Sequence, residues 1–279
     1  MNIDHAVHWI TEREAIRKRR EAGELAPWTN DPILRNYRFC NVRREYDTVT
    51  RHIAKTLREP HKEDPHLWFA MALARLINWP DTLDELGYLV PWNREHFKNV
   101  LSSRMQRGQL VFGPAYVIPN GGSSKPKVDY LADAILHRLW KAREHMSPRG
   151  GTLAAYCARL MEFDGVGSFL AAQVVADLKY VEPLRSAEDW TSFVISGPGS
   201  RRGLNRIMGN PTDAHWTEPA WRRAFSQFEV AIRPELKRLG LGDLHCQDLQ
   251  NCLCEIDKYL RGTLGEGKPK RKFRPTRLR

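Results

Sequence analysis

Residues 65–80, PHLWFAMALARLINWP, are apolar on almost every side of a helical projection. A helix of that kind has no face to offer water, so other elements must wrap it completely. The rest of the chain supplies candidates for the wrapping. HAVHWITEREAIRKRREAG reads as a charged helix closed by Gly23, and Asp31-Pro32 opens another. VRREYDTVTRHIAKTLREP continues helically until Pro60, and the stretch from Thr82 to Gly108 reads as two short helices broken at Pro91. Helical periods return in KVDYLADAILHRLWKAREHM, TLAAYCARLMEF, WTEPAWRRAFSQFEVAIRPELKRLG and HCQDLQNCLCEIDKYLRG. Only LVFGPAYVIPNGGSSKPK has an extended pattern, which suits a hairpin or a loop crossing between lobes. No internal repeat interrupts the series. The expected class is all-α, as one helical domain over residues 1–262 with two lobes around a cleft, followed by a disordered basic tail at 263–279.

With 279 residues and 42% hydrophobic content the chain can bury a real core, yet nothing approaches 18 consecutive apolar residues. Neither a membrane span nor a signal peptide is expected, and five cysteines without a regular framework suit a reducing compartment, hence a cytoplasmic protein. The formal net charge is +11, concentrated in the acid-free tail GKPKRKFRPTRLR. Such a surface favours a polyanion, because each phosphate neutralised releases condensed counterion.

MEFDGVGSFLAAQVVADL, at 161–178, sets two glycines one residue apart before a helical stripe whose small residues Ala171, Ala172 and Ala176 face inward. A bend without side chains lets its own N–H groups and those of the next helix point outward together. Gly165, Gly167 and Ser168 are therefore candidates for holding a DNA phosphate. The plainer reading is a helix end whose glycine supplies positive φ.

This segment resembles the helix-hairpin-helix of the DNA glycosylase superfamily, which implies a glycosylase-like helical fold and an essential aspartate about twenty residues on. Asp189 lies 22 residues after Gly167. Lyase-type members carry a lysine two positions after the second glycine, where this chain has Phe169, so no Schiff base is expected. A wider resemblance rests on YRFCNVRREYDTVTRHI, GVGSFLAAQVVADL, DWTSFVISGPGSRRGLNRIMG and DLQNCLCEIDKY, in that order. Together they resemble the alpha-glutamyl/putrescinyl thymine pyrophosphorylase family, related to the helical domain of hydroxymethyluracil DNA kinases. That resemblance implies a phage-encoded enzyme in the host cytoplasm, acting on duplex DNA that contains phosphorylated 5-hydroxymethyluracil. It would displace phosphate or pyrophosphate with an amine such as an amino acid or putrescine, as a monomer and without a cofactor.

The implied chemistry needs a flipped base, an anion cradle and a proton acceptor. Trp190, Phe193 and Tyr116 are aromatic candidates for contacting the base, although tryptophans are commonly core. SGPGSRRGL offers Gly197 and Gly199 for close backbone approach, Ser200 as donor and Arg201 with Arg202 as phosphate ligands. A Gly-Pro turn with two solvated arginines is the competing reading. Arg43 and Arg44 make a second pair, on a helix where Glu45 and Asp47 would orient them or act in catalysis. Candidate catalytic carboxylates are Asp189, Glu255 and Asp257. Asn41, Gln250, Asn251 and Lys258 would line the pocket, Asn251, Glu255 and Lys258 sharing a helix face with Cys254. Cys40 and Cys254 read as inert packing rather than nucleophiles.

Two patterns lead elsewhere. GTLGEGKP satisfies G-x-x-x-x-G-K, but Pro269 replaces the Ser or Thr of a phosphate loop and no strand precedes it, so no kinase activity is expected. His245, Cys246, Cys252 and Cys254 do not match metal-ligand spacings, so no metal is expected. Two further functions stay open: a monofunctional glycosylase excising a modified base, and a non-catalytic DNA-binding module working beside a separate kinase.

Overall fold

The computed structural model describes residues 1–113, 124–269 and 271–273, and all its regular elements are helices. In chain order these are α1 (Asp4–Glu21), α2 (Pro32–Asn36), α3 (Thr48–Ile53), α4 (Leu67–Ile77), α5 (Pro80–Leu86), α6 (Arg94–Gln106) and α7 (Lys127–Asp129). They continue with α8 (His137–Lys141), α9 (Arg143–Met146), α10 (Leu153–Met161), α11 (Ser168–Leu178), α12 (Pro198–Met208), α13 (Glu218–Arg238) and α14 (Cys246–Thr263). A π-helical turn extends α3 through Ala54–Arg58, and another joins α7 to α8 through Tyr130–Leu136.

Local chemistry explains many of the boundaries. Asp31 accepts the N–H groups of Ile33 and Leu34 at 2.8 and 2.9 Å, while Pro32 fills the first position of α2. Asn93 caps α6 through His96 at 3.0 Å, and Thr152 caps α10 through Ala155 at the same distance. The break expected at Pro91 falls between α5 and α6. Tyr116 and most of the expected extended segment lie outside the described residues.

The Cα positions group into two compact units. Unit 2, Thr48–Phe193, is built around α4, whose eleven residues are all buried. One of them is Arg75, which donates to Asp177 on α11 through Nε at 2.6 Å and Nη2 at 2.5 Å. The pair is compensated by this fork geometry, without which a buried charge would be prohibitively costly.

Unit 1 combines Met1–Asp47 with Val194–Arg279. Its core joins Trp9 and Ile10 of α1 to Leu204 and Ile207 of α12, Trp221 and Phe228 of α13, and Leu249, Leu253 and Ile256 of α14. Helices α12 and α14 touch backbone to backbone: a Cβ on Gly203 would lie 2.1 Å from the Leu253 carbonyl oxygen, and one on Gly199 would lie 3.1 Å from Cys254 Sγ. Two residues of the basic tail make backbone hydrogen bonds to the end of α2 and the segment after it. Arg38 donates its N–H to the Arg271 carbonyl at 3.0 Å, and Phe273 donates to Asn36 at 2.8 Å.

Candidate functional site

The helix expected across 42–60 begins only at Thr48. Residues 40–47 instead form a strap with one 3-10 turn at Arg44–Tyr46, pinned by side chains of α1 and α14. Arg13 of α1 donates from Nε to the Cys40 carbonyl at 2.9 Å and from Nη2 to Asn41 Oδ1 at 2.6 Å. From α14, Glu255 accepts the Cys40 N–H at 2.9 Å and Asp248 accepts the Arg44 N–H at 3.0 Å. Asn251 reaches the Asn41 carbonyl at 3.5 Å. These bonds satisfy backbone groups that a helix would have paired internally, so tertiary partners override the local pattern.

The strap closes on itself through Asp47. Its Oδ1 accepts the Asn41 N–H at 2.7 Å and Asn41 Nδ2 at 3.2 Å. Burial raises the Asp47 carboxyl to about 6, the Glu255 charge pushing the same way while the Asn41 N–H, Arg13 and Arg44 oppose it. Burial likewise lowers the Arg13 guanidinium from its ordinary value. Arg13 is 6% exposed, and its Nη1 has no hydrogen-bond partner among the described residues. Lys258 pairs with Glu255 at 2.6 Å and lies 4.5 Å from the centre of the Phe39 ring. Burial drives the Cys40 and Cys252 thiols well up and Cys254 to about 12, so all three are protonated near neutrality.

The other expected anion residues are more committed. Ser200 is fully buried, and its hydroxyl closes the first turn of α12, accepting from Gly197 N at 2.9 Å and donating to its carbonyl at 3.0 Å. That position turns it away from any ligand. Arg201 binds Ser196 Oγ at 2.8 Å, the Trp216 carbonyl at 2.9 Å and Glu218 at 3.2 Å. Arg202 binds Asp257 through Nε at 2.9 Å but leaves 44% of its side chain exposed. Asp257 gives its second oxygen to Arg206 at 3.0 Å and is 1% exposed, which fits an internal ion pair better than a proton acceptor. Gly199 faces Cys254 rather than open space, and Gly197 sits 3.8 Å from Gln250 by its would-be Cβ. Arg43 is held by Asp243 at 2.6 Å.

Unit 2 holds the remaining expected residues. Helices α10 and α11 are joined by the glycine bend, where Gly165 has φ +93° and Gly167 precedes α11 with no side-chain cap. Both glycines are exposed while Val166 between them is buried. Asp189 caps the start of α10: Oδ1 accepts Leu153 N at 2.7 Å and Oδ2 accepts Ala154 N at 2.9 Å. Trp190 donates its indole N–H to the Lys179 carbonyl, and Phe193 is core at 3% exposure. Among the described residues no cluster of His, Cys, Asp or Glu could hold a metal, and no helix is long and apolar enough to cross a membrane. The G-x-x-x-x-G-K run begins in the last turn of α14 rather than after a strand.

Three sequence motifs that are far apart in the chain thus meet on α14: residues 37–47, 196–209 and 248–259. Residues 2–268 match the model of the family described as 5-hmdU DNA kinase, helical domain. The chain belongs to that family. As a 5-hmdU DNA kinase helical-domain member it is 26% identical over 284 residues to the 5-hmdU DNA kinase of Bacillus phage SP10, covering 90% of this chain and 43% of that protein. It thus spans less than half the length of the kinase. A second relative is the large ribosomal subunit protein bL9 of Rhodobacter capsulatus, 26% identical over 119 residues, or 43% of this chain and 63% of that protein. No solved structure matches this family member with comparable significance.

Arg13 is the site residue that sequence reasoning missed. The available signal was its place on the apolar face of α1, one turn after Trp9 and Ile10, where a solvated arginine does not belong.

Proposed function

We propose that the chain is a DNA base-modification enzyme, of the alpha-glutamyl/putrescinyl thymine pyrophosphorylase type, that replaces phosphate or pyrophosphate on a 5-(phosphooxymethyl)uracil with an amine. The observation that carries this reading is the meeting of three motifs on α14. There the carboxylates of Asp47 and Glu255 lie with Lys258 and the buried Arg13. Kinship with a 5-hmdU DNA kinase supports a hydroxymethylated pyrimidine as the base.

In this reading the half-exposed guanidinium of Arg202 steadies the departing phosphate, where charge develops as the C–O bond breaks. The Lys258–Glu255 pair binds the amine substrate, and the bend, with exposed Gly165 and Gly167 and half-buried Ser168, grips the DNA backbone. Base flipping, at a cost of a few kcal/mol, brings the exocyclic carbon to these groups. Treating 5-phosphomethyluracil DNA with the protein and a panel of amines, then analysing nucleosides by mass spectrometry, tests it. The expected product is an aminomethyl adduct with the glycosidic bond intact; abasic sites would replace this reading with a glycosylase.

A second reading, a DNA-binding module beside a separate kinase, draws on the internal commitment of Arg201 and on the 43% coverage of the phage kinase. It predicts DNA binding with every nucleoside unchanged.

A further inference from the structure

Within unit 1 the two oxygens of Asp47 have different surroundings. Oδ1 is fixed by two donors of the same residue, Asn41, one from its backbone and one from its side chain. Oδ2 has no hydrogen-bond partner among the described residues, and Asp47 as a whole is half-buried. A carboxylate locked in orientation through one oxygen, with the other uncommitted, is the arrangement a proton acceptor requires. The alternatives nearby are less suited. Asp257 spends both oxygens on arginines. Asp189, in the other unit, spends both on backbone N–H groups. Glu255 likewise leaves one oxygen uncommitted, but its other oxygen is paired with the Lys258 ammonium and the Cys40 N–H, and at 8% exposure it is more deeply buried than Asp47.

We infer that Asp47 is the general base that takes the proton from the incoming amine, with Asn41 as its positioning residue. This rests on the amine-transfer reading above and assigns it a residue. An ammonium R–NH3+ gives one proton to the Asp47 carboxylate. The nitrogen lone pair forms the N–C bond to the exocyclic carbon, and the C–O bond breaks, its electron pair leaving with phosphate or pyrophosphate. The product is a secondary ammonium on the base, and Asp47 returns its proton to solvent through Oδ2.

The groups acting on Asp47 fit the task. Arg13 from α1 and Arg44 from the strap favour its charged form, whereas Glu255 from α14, beside Lys258, and burial disfavour it. The balance leaves a carboxyl that ionises at about 6, ionised at neutral pH yet more basic than a solvated aspartate.

The experiment uses the full chain on DNA carrying the phosphate or the pyrophosphate ester of 5-hydroxymethyluracil, with two nucleophiles, a primary alkylamine of pKa about 10 and hydroxylamine, which is already unprotonated at neutral pH. D47N is expected to slow alkylamine transfer by about 100-fold or more, the usual contribution of a positioned base, while changing hydroxylamine transfer by no more than about fivefold. Retained hydroxylamine transfer also reports that D47N is folded. In the wild type, alkylamine transfer should rise through pH 6 and level off above 7. A rate that keeps climbing towards the amine's own pKa overturns the assignment even if D47N does not fold. So does a D47N protein that slows both nucleophiles equally, or neither. Absence of any adduct with either nucleophile in the wild type overturns the transfer reading itself, and the assignment falls with it.

Discussion

Asp47 carries a thermodynamic signature separate from any reaction. Its carboxyl ionises at about 6 in the folded chain against 3.8 for a free side chain, so the folded state holds its proton more tightly than the unfolded state. Stability is therefore highest below about pH 4 as far as this group is concerned. It declines as pH rises through the interval and reaches its full penalty above about 6. D47N keeps the shape and removes the charge. It should melt with the wild type near pH 4 and above it at pH 7 to 8, by roughly 1 kcal/mol after allowance for the partial exposure of Asp47. Thermal melts at the two pH values check this, and a difference independent of pH would contradict it. A group that weakens the fold at neutral pH is better explained by chemistry than by architecture. The hold of Arg13 and of Glu255 on the strap was not legible in the sequence, because contacts between residues 28 or 215 positions apart leave no periodic trace, while the Asp47–Asn41 pair, six positions apart, was hidden by the helical pattern of the segment. What could be read at this scale was the local chemistry: Asp31 before Pro32 declared a capped helix start, and the structure has one.

Among elements, the pair α12 and α14 sets the geometry of the candidate site. The glycines of SGPGSRRGL resemble a ligand cradle in one dimension, but Gly199 and Gly203, four apart on one face of α12, serve the approach of a neighbouring helix. G203A would drive its Cβ into the Leu253 carbonyl, which as backbone has little room to move. A loss of about 1–3 kcal/mol or more is expected from such overpacking, read as a lower denaturant midpoint. A variant as stable as the wild type would mean that the two helices do not pack this closely. Helix α4 was the most legible element, since an all-round apolar run has one solution, and all its residues are buried. Residues 42–47 were the least legible: their helical pattern is genuine, but the polar groups of α1 and α14 offer the backbone other partners.

For the whole molecule, the charge of +11 makes one general expectation about DNA. Affinity should fall linearly with the logarithm of salt concentration, at a slope near −0.9 per phosphate contacted and steeper than about −3. Fluorescence polarisation across a salt series measures it, and a flat response would remove the electrostatic partner. The all-helical class was legible because periodicity is a short-range property summed over the chain. The anion cradle was not, because a guanidinium's partners are decided by folding: Arg201 and Arg206 end on carboxylates that their sequence surroundings do not announce.

One consequence of the Asp189 cap concerns how loss of function is interpreted. The carboxylate holds the start of α10, and the far end of α10 leads directly into the glycine bend. Asp189 is thus a mooring for the limb that ends in the glycine bend. D189N keeps one acceptor oxygen but loses the other and the charge, so α10 would swing on a slackened tether and, in the proposed reading, the bend would meet the duplex less squarely. Diminished grip on DNA and diminished product should then arrive together, and an inactive D189N would speak first about anchorage and only afterwards about bond making.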